Sequence, residues 1–135
     1  MVDTASGLGQ LPPDDPGIPD AEGLLRRVIA DWVDPRDGTL IASAFLDRRS
    51  GFVSVNRASM TTRDKVLKDY NHTGIAELKA AFPRFIRHAV ASDPQPDDPS
   101  HALIVPPGDL DTMSKRKAAA RQMAKAARMV VPIPD

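Results

Sequence analysis

The side chains able to do proton or metal chemistry in this chain are few. The three histidines are His72, His88 and His101. His101 follows Asp97-Asp98-Pro99-Ser100, which places an imidazole close to two carboxylates. A metal site needs three or four convergent ligands. No HExxH-like pair occurs, so neither a metal nor another cofactor is expected, and His101 reads as a loop cap that hydrogen-bonds backbone. A nucleophile–base pair would have to join Ser43, Ser54, Ser59 or Ser100 to a histidine, and there is no G-x-S-x-G elbow. Arg27, Ser43 and Glu77 stand in the order found in ADP-ribosyl-transfer toxins, at a spacing that carries no information. Glu77 reads instead as a solvated acid on the polar side of a helix. The eight glycines are scattered, with no phosphate-cradling loop. The best enzymatic alternative is a small enzyme or toxin-like effector with a polar cleft near Arg27, Ser43, His72 and His101.

The stronger chemical signal is cationic. Lys115, Arg116, Lys117, Arg121, Lys125 and Arg128 follow one another with no acid among them. Residues 113–130 are rich in Ala, Met, Lys, Arg and Gln, all good helix formers. At 100° per residue, Ala119, Ala120, Met123, Ala126, Ala127 and Val130 gather on one face, and Lys117, Arg121, Lys125 and Arg128 on the opposite one. Such a stripe suits a solvated outer face, a dock for an acidic protein surface, or contacts to nucleic-acid phosphates. The chain's own acidic start is one candidate for the acidic surface. Aromatic residues are only 4% of the chain, which disfavours single-strand recognition by base stacking. The favoured functional reading is therefore a non-enzymatic accessory domain that docks an acidic protein through Lys117, Arg121, Lys125 and Arg128, with nucleic acid as the lesser alternative.

Other elements must position that helix. Residues 1–22 hold Pro12, Pro13, Pro16 and Pro19 and five acids without a Lys or Arg, and are expected to be a flexible arm. Residues 24–33 carry apolar side chains at 24, 25, 28, 29, 32 and 33. That spacing suits a helix, yet Val28, Ile29, Trp32 and Val33 favour strands, and the choice stays open. If the segment is a strand, one of Arg26 and Arg27 points inward and needs a carboxylate, for which Asp97 or Asp98 is available. Thr39–Leu46 and Phe52–Arg57, around a polar link with Gly51, read as an antiparallel hairpin. Thr61-Thr62-Arg63-Asp64 starts a short helix that stops near Gly74. Ile75–Phe82 is helix-compatible, broken at Pro83. Phe85–Ala91 and His101–Val105 are strand-like, separated by the proline-rich loop Asp93–Ser100.

The chain has 135 residues, 18 basic and 18 acidic side chains, and no cysteine. That length fits one domain. Without cysteine there are no disulfides, thiolate metal sites or thiol nucleophile, and a cytoplasmic setting is expected. A net charge of zero disfavours a globally basic nucleic-acid binder. The apolar runs are too short to span a bilayer, no membrane partner is expected, and Met1–Gln10 lacks the regions of a secretory signal.

The run Asp93-Pro94-Gln95-Pro96-Asp97-Asp98-Pro99-Ser100-His101-Ala102-Leu103-Ile104, with Leu24-Leu25-Arg26-Arg27 upstream and Ser43-Ala44-Phe45 between, resembles a group of small uncharacterised bacterial proteins. The resemblance covers most of residues 24–131. It implies a bacterial cytoplasmic origin and an arm outside the shared domain, and it carries no activity, ligand or site residue. The expected architecture is α+β: a small, mostly antiparallel sheet packed by the C-terminal amphipathic helix and one or two short helices. The domain is placed at 23–131, between the arm and a tail at 132–135.

Overall fold

A computed structural model of the chain describes residues 11–134. Its framework is one six-stranded sheet, antiparallel at every pairing. The strands are β1 (Gly23–Ile29), β2 (Val53–Arg57), β3 (Thr73–Lys79), β4 (Ala89–Ser92), β5 (His101–Val105) and β6 (Arg128–Val131). In space they run β4-β5-β2-β1-β3-β6. The helices are α1 (Arg63–Leu67), α2 (Ala81–Phe85) and α3 (Met113–Ala126). This is the expected α+β architecture. No helix among the described residues is long and apolar enough to cross a membrane.

The open choice at 24–33 resolves as strand β1, followed by a 3-10 turn at Ala30–Trp32. The four-residue apolar spacing has a simple origin. Leu24 and Val28 enter the main core on one face of the strand, while Leu25 packs on the other face with Val66 and Ile75. Burial on both faces blurs the alternation that marks a half-exposed strand.

Four expectations are corrected. Ile75–Phe82 is no helix: Thr73–Lys79 is β3, the partner of β1 along its full length, and α2 starts only at Ala81. Pro83 lies in the first turn of α2, where its missing N–H costs no helical bond. Gly74 does not end a helix but lets β6 approach, since a Cβ there would lie 2.5 Å from the Val131 carbonyl oxygen. The 39–57 hairpin is half right, because Phe52–Arg57 holds β2 but β2 pairs with β1 and β5. Thr39–Leu46 instead forms a bridge at Leu40 and a 3-10 turn at Ala42–Phe45. Finally, the 113–130 helix ends at Ala126, and Arg128–Val131 becomes edge strand β6.

The expected arm is also packed where the structure describes it, residues 1–10 lying outside the described residues. Ile18 is fully buried in the main core. Asp15 N–H donates to the Val90 carbonyl at 2.8 Å, and Asp14 accepts from Val90 N–H at 2.9 Å. Arg84 clamps the segment by donating to Asp14 at 2.9 Å and Asp20 at 2.7 Å. Asp14, Asp15 and Asp20, three of the acids that suggested a solvated tail, are thus hydrogen-bond partners of the sheet edge and of α2.

One face of the sheet carries the main core. Leu24, Val55, Leu78 and Ile104 meet Phe45 of the 3-10 turn and Ala120, Met123 and Ala124 of α3. The small side chains of α3 let its backbone settle close to the 3-10 turn Ala42–Phe45.

Candidate binding groove

The two turns of chain before β2 and the last helix build a groove on the core side of the molecule. The turn Asp34–Gly38 closes with Gly38 N–H donating to the Asp34 carbonyl at 2.8 Å, and Gly38 adopts φ +75°, a conformation open to glycine. That turn sends Thr39–Ile41 back along Trp32, whose carbonyl accepts from Ile41 N–H at 3.0 Å. The following turn packs Ala44 and Phe45 under α3.

Helix α3 forms the opposite wall. Thr112 caps it, its hydroxyl accepting from Lys115 N–H at 3.2 Å. Ala119, Ala120, Met123 and Ala124 are buried, which turns Lys117, Arg121 and Lys125 outward at successive four-residue steps, ~6 Å apart along the axis. Together with Gly38–Ser43, Ala124 and Ala127–Met129 they line a cleft of about 740 Å³. Its floor is apolar, with Leu40, Ala42 and Met129, and Ile41 is 40% exposed.

The cations of the predicted stripe are not equivalent. Lys115 is held by Asp111 at 3.0 Å, and Arg116 donates to the Leu110 carbonyl at 3.0 Å. Arg128 belongs to β6 rather than to the helix, and it pairs with Glu77 at 3.6 Å. Glu77 is therefore a half-buried acid on β3, not a solvated helix residue. Lys117, Arg121 and Lys125 have no ion pair or hydrogen bond among the described residues. The described acids of the N-terminal segment do not supply their counter-charge. Asp14 and Asp20 are bound to Arg84, and Asp15 to Ser92, beside β4 at the far edge of the sheet.

Arg27, Ser43, His72 and His101 are not brought together. Ser43 lies in the 3-10 turn on the α3 side and borders the groove. Arg27 lies on the other face, with its guanidinium 3.9 Å from the Tyr70 ring and donating to the Val66 carbonyl at 3.1 Å. His72 is exposed in the turn before β3, with φ 59°. His101 does cap the loop, its Nδ1 facing the Asp93 carbonyl at 3.1 Å and carboxylate at 2.9 Å. Among the described residues no three of His, Asp and Glu gather as a metal-ligand set.

The arginine expected to point inward is Arg26, and its partners are not Asp97 or Asp98. It donates to the carbonyls of Ala44 at 2.9 Å and Ser54 at 3.0 Å, and it lies 5.2 Å from the Trp32 ring. Burial pulls its pKa down to about 10, against the opposing charge of Asp47. Arg26 thereby fastens the groove-forming turn to β2. Asp98 instead accepts from Asn56 at 2.7 Å and Ser100 at 2.6 Å.

A buried charge that the sequence did not reveal is Glu22. Its carboxylate accepts from Arg57 at 2.9 Å and from the Ser59 hydroxyl and N–H at 2.6 and 3.0 Å. Burial pushes its pKa up, but the hydrogen bonds from Ser59 and Arg57 outweigh that and hold it below the usual carboxylate range.

A second cleft, of about 860 Å³, lies over the opposite face beside Arg27 and Tyr70. Its lining mixes Lys65 and Lys68 with Asp69, Asp97 and Asp98, so no single sign of charge prevails. No protein-family model, curated protein or solved structure matches this chain.

Proposed function

We propose that the protein is a non-enzymatic interaction domain that docks an acidic protein segment in the groove between α3 and Gly38–Ser43. The observation that carries this reading is the row Lys117, Arg121 and Lys125, without counter-ions among the described residues, beside an apolar floor. Unpaired cations beside exposed apolar surface suit a partner that supplies carboxylates and aliphatic side chains together. Same-face side chains of an extended segment recur every ~6.7 Å, close to the four-residue steps of the helix. The bacterial, cytoplasmic setting implied by the resemblance accompanies this proposal.

Fluorescence anisotropy tests it directly, with a synthetic peptide alternating Glu and Val as the probe and a duplex DNA of similar charge as the competitor class. The peptide is expected to bind, to weaken as salt rises, and to lose at least tenfold in affinity to the Lys117→Glu/Arg121→Glu/Lys125→Glu variant. Binding of the duplex with no binding of the peptide would transfer the groove to phosphate recognition. Equal peptide affinity for the wild type and the reversed variant would reject the groove as the dock.

A further inference from the structure

The cleft over the sheet face opposite α3 holds charges of both signs that do not meet. Its place follows from the ladder. β1 and β2 are in register only where Leu24 faces Arg57 and Leu25 faces Asn56, and the rest of β1 pairs with β3 alone. Asn56 shares the face of Leu25 as its direct partner, and Arg27 shares it as the second residue on. Each strand brings a different wall. Arg27 donates to the Val66 carbonyl of α1 at 3.1 Å, which sets Lys65 and Lys68 on the β1 side. Asn56 donates to the Asp98 carboxylate at 2.7 Å, which sets Asp97 and Asp98 on the β2 side. Gln95 and Asp98 exchange backbone hydrogen bonds of 3.0 Å, so the acidic wall is preformed. Asp69 offsets one of the three cations and leaves its side net positive. Among the described residues none of these six charges forms an ion pair. Asn56 adds an unmet group. It is 7% exposed, and its amide nitrogen is taken up by Asp98 and by the Ser100 hydroxyl at 2.8 Å. Its side-chain carbonyl accepts from no described residue, although a buried acceptor ordinarily has a donor.

We propose that this cleft binds a small zwitterion, a free α-amino acid or a short peptide, with its ammonium toward Asn56, Asp97 and Asp98 and its carboxylate toward Arg27 and Lys65. An ammonium carries three donors and no acceptor, which suits one unmet carbonyl beside two carboxylates. The guanidinium of Arg27 spends one nitrogen on Val66 and lies 3.9 Å from the Tyr70 ring. Those contacts fix its plane and leave further N–H groups for a charge-assisted bond to a carboxylate. A ligand of one sign would meet an attractive wall and a repulsive one, whereas a zwitterion matches both. Met60 and Tyr70, both exposed beside these charges, offer apolar surface to an aliphatic side chain. The volume of about 860 Å³ falls in the range of small-molecule sites. This site is independent of the cationic groove, which lies on the α3 side.

Calorimetric titration of the full chain tests it, with L-leucine and the dipeptide Leu-Ala as probes. Tighter binding of leucine would assign the site to free amino acids, and tighter binding of the dipeptide to peptide ends. For the better probe, the N-acetylated and the C-amidated forms are each expected to bind about tenfold or more weakly, since each loses one charge-assisted contact. Asp97→Asn and Lys65→Gln change exposed side chains. Each is expected to weaken the probe about fivefold or more while leaving the melting temperature unchanged. The Lys117→Glu/Arg121→Glu/Lys125→Glu variant is expected to bind the probe as the wild type does. Equal binding of the acetylated form would reduce the cleft to an anion site, and equal binding of the amide to a cation site; either overturns the zwitterion. No binding of either probe at millimolar concentration, or a loss in the groove variant as large as in Asp97→Asn, would overturn the site itself. Failure of the acidic peptide at the groove would leave this proposal untouched.

Discussion

The protein treats its charges oppositely at two places. Around Glu22, each charge is matched: Arg57 and Ser59 converge on one buried carboxylate, and nearby Arg84 spans Asp14 and Asp20. Along α3, Lys117, Arg121 and Lys125 stand in a row with no matching acid among the described residues. Both regions use ordinary side chains, so the difference lies in what each charge does. Those around Glu22 tie residues distant in sequence, 22 to 57 and 14 to 84, and their loss would be felt by the fold. Those along α3 tie no described residue, and theirs is the field that the proposed acidic partner would meet.

The comparison can be broken from either side. The largest effect belongs to Glu22→Ala, which strands Arg57 in a half-buried site; urea unfolding is expected to show a loss of about 3 kcal/mol. Peptide affinity at the groove should be unchanged, and a matching loss there would mean the two regions are coupled. A smaller effect is acid destabilisation. Glu22 has a folded pKa below its ordinary 4.5, so its stabilisation is complete above that pH and is lost as pH falls through the depressed value. His88 is buried, and burial lowers its pKa below 6.5 with the Arg87 charge adding to it. Its neutral form therefore favours folding, and some stability should decline already below about pH 6.5. Melting temperatures at pH 7, 5.5 and 4 are expected to fall in that order, with His88→Gln flattening the first step and Glu22→Gln the second. The smallest effect should come from Lys117→Gln/Arg121→Gln/Lys125→Gln, which is expected to keep stability within about 0.5 kcal/mol. A larger loss in denaturant titration would place these cations among the structural charges and erase the contrast.

Local signals in the sequence were dependable where a residue acts on its near neighbours. Thr62, in the expected helix start Thr61-Thr62-Arg63-Asp64, caps α1 by accepting from the N–H three residues on. His101 caps the 93–100 loop, and Val53–Arg57 and His101–Val105 are strands as their patterns suggest. The groove was half legible, since the cationic row on α3 follows from helical geometry alone. Its other wall was not. Leu40 and Ile41 looked like part of a hairpin, and nothing local distinguishes an apolar stretch that pairs from one that turns beneath a helix.

By itself, then, the sequence determined helix caps, turn positions and the one-sidedness of α3, because these depend on side chains reaching a few residues along the chain. Only the tertiary structure decided that Ile75–Lys79 is a strand, that Arg128–Val131 leaves the helix to become a sheet edge, and that Glu22 and Arg26 are internal. Those outcomes depend on ladder hydrogen bonds and burial supplied by residues tens of positions away, such as β1 for β3 and Arg57 for Glu22. A contact of that kind outweighs the weak preference of any single residue for helix or strand.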